Sequence, residues 1–245
     1  MIYKDLVNNQ LASQLDSETL GMGIPDTLRF LSARFQGEIV FSTSFGQEDQ
    51  VITDMIFSAG NPILVFTLDT GRHFEETYKV MNQTLSKYGK KIKVCFPDED
   101  QVEKMMTKKG PYSFYESIEN RKECCNIRKV EPLRKVLAQA SCWITGLRAS
   151  QSDNRQIMSR FEYDKVNQVI KYNPLIEWSV EKVNDYLKNN HVPYNVLHDK
   201  GFLSIGCAPC TRAVAPGAGL RSGRWWWENN TSRECGLHEN DNKQG

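Results

Sequence analysis

The sequence predicts an α/β protein built on a parallel sheet, and three observations predict it. Apolar runs of strand length recur along the chain, and amphipathic segments of helix length alternate with them. Polar loops rich in Ser, Gly, Asp and Arg follow several of the runs. Alternation of this kind specifies right-handed βαβ crossovers, with helices on both faces of the sheet. Ligands then bind beyond the carboxyl ends of the strands, where those polar loops lie. At 245 residues the chain suits one large domain or a small pair.

Each element has its own justification. Residues 3–36 read as helical, with Leu6, Leu11 and Leu15, then Leu28, Leu31 and Phe35, at near-helical spacing. Residues 38–42 form the first apolar run. Residues 49–58 read as a helix with Val51, Ile52, Met55 and Ile56 on one side. A second strand covers 62–67, a helix 74–87 and a third strand 92–96. A helix over 126–139 leads into a strand over 142–145. From about residue 201 the composition shifts to Gly, Cys, Pro, Arg and Trp with little periodicity, and residues 239–245 read as disordered. No repeat or linker divides the chain. Residues 1–220 are therefore expected to form one α/β domain, and 221–245 a mobile C-terminal segment.

Charge and hydropathy exclude several classes. Lys plus Arg number 31 against 30 Asp plus Glu, a net charge of +1, which gives no footprint for nucleic acid or an anionic membrane. No stretch approaches the ~20 apolar residues of a membrane span, and the first residues do not open a signal peptide. A cytoplasmic protein is expected.

The seven cysteines sort by context. Reduced thiols are the rule in such a compartment, and an odd number leaves one unpaired in any disulfide scheme. Cys95 and Cys142 lie in apolar strand-like runs and read as small core residues. Cys124-Cys125 and Cys207-Ala208-Pro209-Cys210 lie in polar stretches that read as loops. A CxxC alone serves as half of a zinc site, half of an iron–sulfur site or a redox pair. A spacer-free pair strains a single tetrahedral ion more than a cubane with spread-out irons, so the spacing favours [4Fe–4S] over zinc. Arg121, Lys122, Arg128 and Lys129 flank the pair and suit an anionic centre or substrate. Cys235, beside Gly236 and within reach of Arg233 and His238, reads as an accessible thiol whose thiolate is favoured. Arg221 and Arg224, three apart, could present two guanidinium groups to one oxyanion, while Trp225, Trp226 and Trp227 read as an anchor.

Three strand-end loops are candidates for the ligand site. Ser42, Thr43, Ser44, Phe45, Gly46, Gln47, Glu48 and Asp49 join the first strand to a helix. Hydroxyl donors, a glycine and unpaired helix N–H groups suit an oxyanion there, although no Gly-Lys-Ser/Thr makes it a Walker A loop. Leu68, Asp69, Thr70, Gly71 and Arg72 end the second strand, and Asp69 and Thr70 are expected to face the same crevice. Gly146, Arg148 and Arg155 belong to the loop after the strand at 142–145.

Together these pieces, with Glu234-Cys235-Gly236-Leu237-His238 at the end, resemble the assimilatory sulfonucleotide reductases, most closely the iron–sulfur-containing bacterial adenylyl-sulfate (APS) reductases. The resemblance spans about residues 38–238. It implies an adenine nucleotide α-hydrolase-like, PP-loop-like fold with APS at the strand ends and one [4Fe–4S] cluster on Cys124, Cys125, Cys207 and Cys210. It implies a nucleotide pocket lined by the first two loops and closed by residues 146–155. Lys129, Arg221 and Arg224 would face the sulfate, and Cys235 would be the nucleophile. The implied reductant is a separate thioredoxin or glutaredoxin. PAPS reductase is the alternative activity, and an iron–sulfur sensor or an ATP-dependent ligase on the same fold are the other classes. The ligase would want a Ser-Gly-Gly-x-Asp-Ser loop where this chain reads Ser44-Phe45-Gly46-Gln47-Glu48-Asp49. Oligomeric state is left open, with room for a homo-oligomer.

Overall fold

The computed structural model describes residues 2–151 and 158–228. The helical region expected over 3–36 consists of two helices, α1 (Ile2–Glu18) and α2 (Ile24–Arg34). The break has a local cause: Gly21 takes φ +82°, Gly23 is the extended N-cap of α2, and Pro25 stands in its first turn. Strand β1 (Ile39–Ser42) leads to α3 (Gln47–Ser58), β2 (Leu64–Leu68) to α4 (Glu75–Tyr88), and β3 (Lys93–Cys95) to α5 (Glu99–Lys109). Helix α6 (Ile118–Cys125), a π turn (Asn126–Val130) and α7 (Glu131–Leu137) run on as one rod into β4 (Cys142–Ile144). Strands β5 (Phe161–Asp164) and β6 (Val169–Tyr172) form a hairpin, and α8 (Val180–Asn189) follows.

The sheet order is β3-β2-β1-β4-β6-β5, parallel throughout except that β5 runs antiparallel to β6. The chain winds outward from β1 through β2 to β3, then crosses back to β4 on the other side of β1. The switch point therefore lies between β1 and β4, where a crevice opens at the strand ends.

Strand alternation divides the core. Ile39, Phe41, Val65, Cys142, Ile144, Ile170 and Tyr172 face a large cluster with Leu28, Leu31, Val51, Ile52 and Val183. Val40, Phe66, Trp143 and Val169 face the other way, onto Leu133, Val136 and Leu137 of α7. Cys142 is fully buried and the partly buried Cys95 packs on the second cluster, as their apolar runs predict. A third cluster gathers Cys124, Cys207 and Cys210 with Phe114, Ile127 and Trp225.

Helices α5 and α6 and the β5–β6 hairpin carry weak apolar patterns, whereas α8 is amphipathic with Val183 and Leu187 buried; all three helices have clear local punctuation. Asp98, Ser117 and Ser179 cap the three helices by accepting from the amides of Gln101, Asn120 and Lys182. The hairpin turns where Asp164 Oδ1 accepts from the Asn167 amide at 2.9 Å and Gln168 adopts φ +56°. Cys124 and Cys125, expected in a loop, occupy the last turn of α6. No helix among the described residues is long and apolar enough to cross a membrane.

Candidate active site

A cleft of about 790 Å³ opens at the carboxyl ends of the central strands, within the range of small-molecule sites. Of the residues singled out in the sequence, Ser42, Thr43, Ser44, Gly46, Glu48, Asp49, Leu68, Gly146, Arg148, Lys129, Arg221 and Arg224 line it. The far wall comes from residues the sequence reading did not pick: Asn184 and Lys188 of α8, then Tyr194 and His198. The Ser179 cap and the apolar recurrence of Val180, Val183 and Leu187 marked that helix in the sequence.

The turn after β1 arranges its donors differently from an oxyanion hole awaiting its ligand. Asp49 Oδ2 accepts from both the Ser44 amide and the Ser44 hydroxyl at 2.6 Å. A carboxylate of the chain itself thus takes these donors at the start of α3. Thr43 Oγ1 accepts from the Phe45 amide at 3.1 Å, and Phe45, at φ +59°, is buried in the core rather than in the cleft. Gly146 passes so close that a Cβ there would stand 3.3 Å from the Asp49 amide nitrogen and overlap its carboxylate.

Arg148 is a brace. Its side chain is 3% exposed, and its Nε donates to Glu48 Oε1 at 2.7 Å while Nη1 donates to Ser150 Oγ at 2.6 Å. These bonds tie the turn after β4 to the first turn of α3. His198 lines the same region, and burial lowers its pKa below 6.5 against the pull of Glu48.

The middle of the turn after β2, residues 69–72, serves the cysteines, while Leu68 and His73 at its two ends line the cleft. Asp69 Oδ1 accepts from the Gly71 amide at 2.8 Å and from the Tyr78 hydroxyl at 3.0 Å. Burial first, and Asp69 second, push that hydroxyl up to about 12. Thr70 Oγ1 lies 3.3 Å from Cys207 Sγ, and the Thr70 carbonyl accepts from Arg128 Nη1 at 2.7 Å. Arg72 stacks 5.0 Å over Phe114, and its carbonyl accepts from the Ala208 amide at 2.8 Å. Asp69 and Thr70, expected to share the first loop's crevice, lie outside the cleft lining because this turn is drawn onto the CxxC stretch.

All four cysteines of the two motifs line one small cavity, together with Arg72, Phe114, Arg121, Arg128, Lys129 and Pro209. Burial raises the thiol pKa of Cys124, and lifts that of Cys210 to about 12 although Lys129 and Arg224 pull it down. Among the described residues no three His, Cys, Asp or Glu side chains are grouped as ligands of a single metal ion. What the four thiols share is a cavity. Lys129, on the π turn, lines both this cavity and the cleft.

The Trp stretch packs as an anchor. Trp225 is buried under the guanidinium groups of Arg121, Arg224 and Arg221, at 4.6, 4.9 and 5.8 Å from its ring. Arg121 also donates from Nε to Glu228 Oε1 at 2.6 Å, both side chains being 4% exposed. Arg155, Cys235 and His238 lie outside the described residues.

Residues 38–213 match the phosphoadenosine phosphosulfate reductase domain. The chain is 45% identical over 226 residues to the adenosine 5'-phosphosulfate reductase of Agrobacterium fabrum, covering 92% of this chain and 86% of that protein. It is 43% identical to the enzyme of the same name from Allochromatium vinosum, with 93% and 90% covered. A solved phosphoadenylyl-sulfate reductase from Candida auris, in a phosphate complex, superposes with a TM-score of 0.69 at 27% identity over 83% of this chain and 96% of that one. An FMN adenylyltransferase from Candida glabrata, with a TM-score of 0.52 at 15% identity over 96% and 86% of the two chains, shares the fold alone.

Proposed function

We propose, from the premise that the chain belongs to the phosphoadenosine phosphosulfate reductase family, that it reduces adenylyl sulfate to sulfite and AMP in sulfate assimilation. The observation that carries this is Lys129, which stands in the wall between a nucleotide-sized cleft and a four-cysteine cavity. The relatives named adenosine 5'-phosphosulfate reductase, at 43–47% identity, support the substrate.

The chemistry divides between the cleft and Cys235. Lys129, Arg221 and Arg224 place positive charge at one end of the cleft, where a sulfate would otherwise repel a thiolate. The Cys235 thiolate attacks the sulfate sulfur of APS, a sulfur–sulfur bond forms, and the bond from sulfur to the AMP phosphate oxygen breaks. AMP leaves with that electron pair. A thioredoxin or glutaredoxin dithiol then attacks Cys235 Sγ and expels sulfite, and its second thiol closes the disulfide. The two electrons that reduce sulfur come from the dithiol, and two protons are released. Within 221–245, residues 221–228 are anchored through Trp225 and the Arg121–Glu228 pair, so the part beyond Glu228 carries Cys235 from the cleft to the reductant, and the setting is cytoplasmic.

The residues present fit a [4Fe–4S] cluster. Four thiols line one cavity ringed by Arg72, Arg128 and Lys129, and two buried donors in that neighbourhood, Arg128 Nε and Trp225 Nε1, have no acceptor among the described residues. Cys124, Cys125, Cys207 and Cys210 would hold it. When bound, the cluster supplies a compact anionic centre against which Lys129 and Arg128 are fixed, and it need not change oxidation state.

PAPS reduction is the second reading, favoured by the likeness to the Candida auris enzyme. Sulfite release from APS compared with PAPS, with purified protein and thioredoxin, tests the two. A higher kcat/KM with APS is expected, and an equal or higher value with PAPS overturns the first reading.

A further inference from the structure

A row of side chains crosses three strands on the α7 face of the sheet and ends in the cleft. Glu162 of β5 pairs with Lys171 of β6, and Lys171 pairs with Trp143 of β4. Lys171 is a lysine with only 1% of its side chain exposed, its Nζ 2.8 Å from Glu162 Oε1 and 5.7 Å from the centre of the Trp143 ring. A buried ammonium is tolerated only where such partners replace water, so the row is a fixed arrangement. At its end Trp143 Nε1 donates to Ser42 Oγ at 2.9 Å, and both Trp143 and Ser42 line the cleft.

The direction of that last bond has a consequence for Ser42. An indole N–H can only donate, whereas a hydroxyl carries one proton and two lone pairs. The Ser42 oxygen must therefore accept from Trp143, and its own proton is left for another acceptor. The neighbouring hydroxyl, Ser44, spends its proton on Asp49. Charge then says which part of a nucleotide meets Ser42. Glu48 and Asp49 stand in the same turn, while Lys129 lines both the cleft and the cysteine cavity and Arg224 stacks on Trp225, which packs with Cys207 and Cys210. The anionic groups belong with those cations, and the uncharged nucleoside belongs beside the carboxylates.

We propose that Trp143, held in place by Lys171, is a positioning residue for the substrate: its indole N–H sets the Ser42 hydroxyl as a hydrogen-bond donor to the nucleoside. This rests on the nucleotide reading of the cleft. Trp143 acts through Ser42 and touches neither the sulfur nor the nucleophile, so its effect belongs in KM and not in kcat.

The test uses the holoenzyme with AMP, adenosine and APS as probes. Trp143→Phe keeps an aromatic side chain, though a smaller one, and deletes the donor. It should weaken AMP and adenosine binding alike by about 3- to 10-fold, the range of one hydrogen bond, and raise KM for APS by a similar factor with kcat within about twofold. Ser42→Ala should do the same, and the double variant should be no worse than either single one. Additive losses, an effect confined to kcat, or unchanged adenosine binding in either folded single variant would overturn the proposal. If Trp143→Phe does not fold, Ser42→Ala still decides it. The ¹⁵N-indole resonance that shifts in the Ser42→Ala spectrum must also move when AMP is added to the wild-type protein, and a resonance indifferent to AMP sinks the idea. Binding of AMP with no effect of either variant refutes the positioning role alone, whereas no binding of AMP or APS at all refutes the nucleotide reading.

Discussion

Gly146 shows how little room the turns at the switch point leave. A methyl group there would meet the Asp49 carboxylate and its backbone nitrogen, so Gly146→Ala must displace either the turn after β4 or the start of α3. The expected outcome is at least a tenfold weaker AMP affinity by calorimetry with the chain still folded, and wild-type affinity would show that the turn yields freely. Cys235 lies beyond the described residues and is not one of the four cysteines assigned to the cluster, which gives a separable prediction. Cys235→Ser should abolish sulfite release while iron content and APS binding stay near wild type, and loss of iron in that variant would reassign the residue. The histidines make a pH prediction with a definite sign. Burial lowers the pKa of both His73 and His198 from 6.5, so the folded chain binds their protons less tightly than the unfolded chain does. Their contribution to stability is complete above about pH 6.5 and is lost as pH falls through the lowered values. The melting temperature should drop between pH 6.5 and 5, and His73→Gln with His198→Gln should flatten that slope. An unchanged slope would mean other groups carry it.

Elements with a strong apolar period were legible in the sequence, and those held by tertiary contacts were not. Strands β1, β2 and β4 announce themselves because they are buried on both faces, and α3 because its apolar residues recur. Helix α5 buries only Met105 among its residues, so periodicity had nothing to report and the Asp98 cap was the available signal. Strand β6 hid because Lys171 interrupts its apolar run, a polar residue made tolerable by Glu162 and Trp143, which no local pattern reveals. The site divides similarly. The grouping of the four cysteines was suggested by residue type and spacing and the sulfate-facing role of the three cations by the resemblance, whereas the commitments of Asp49 to Ser44 and of Arg148 to Glu48 required the fold. At this scale the stretch over 221–228 is held by two devices. Gly223 allows the backbone within reach of the Arg212 carbonyl, which a Cβ would strike, and Glu228 pairs with the buried Arg121. Glu228→Ala leaves a guanidinium buried without its carboxylate and should cost about 3–5 kcal/mol. Denaturant unfolding checks the figure, and a loss below about 1 kcal/mol would mean water replaces the carboxylate.

Across the whole molecule the sheet, the π turn and the C-terminal stretch bring two chambers to either side of one lysine. Anaerobically purified protein should carry about four irons and four sulfides per chain with broad visible absorption. Stoichiometric zinc in a colourless protein would refute the cluster. The shared wall then has a consequence in the language of linked equilibria. A residue that belongs to two sites makes each an effector of the other, and the coupling is the same in both directions. If an occupied cysteine chamber sharpens the grip on a nucleotide by some factor, a bound nucleotide slows the emptying of that chamber through the same free energy. Lys129→Met should uncouple the two, so that AMP protects iron from a chelator in the wild-type protein and gives no protection in the variant at saturating AMP. The lysine is thus as much a messenger as a ligand.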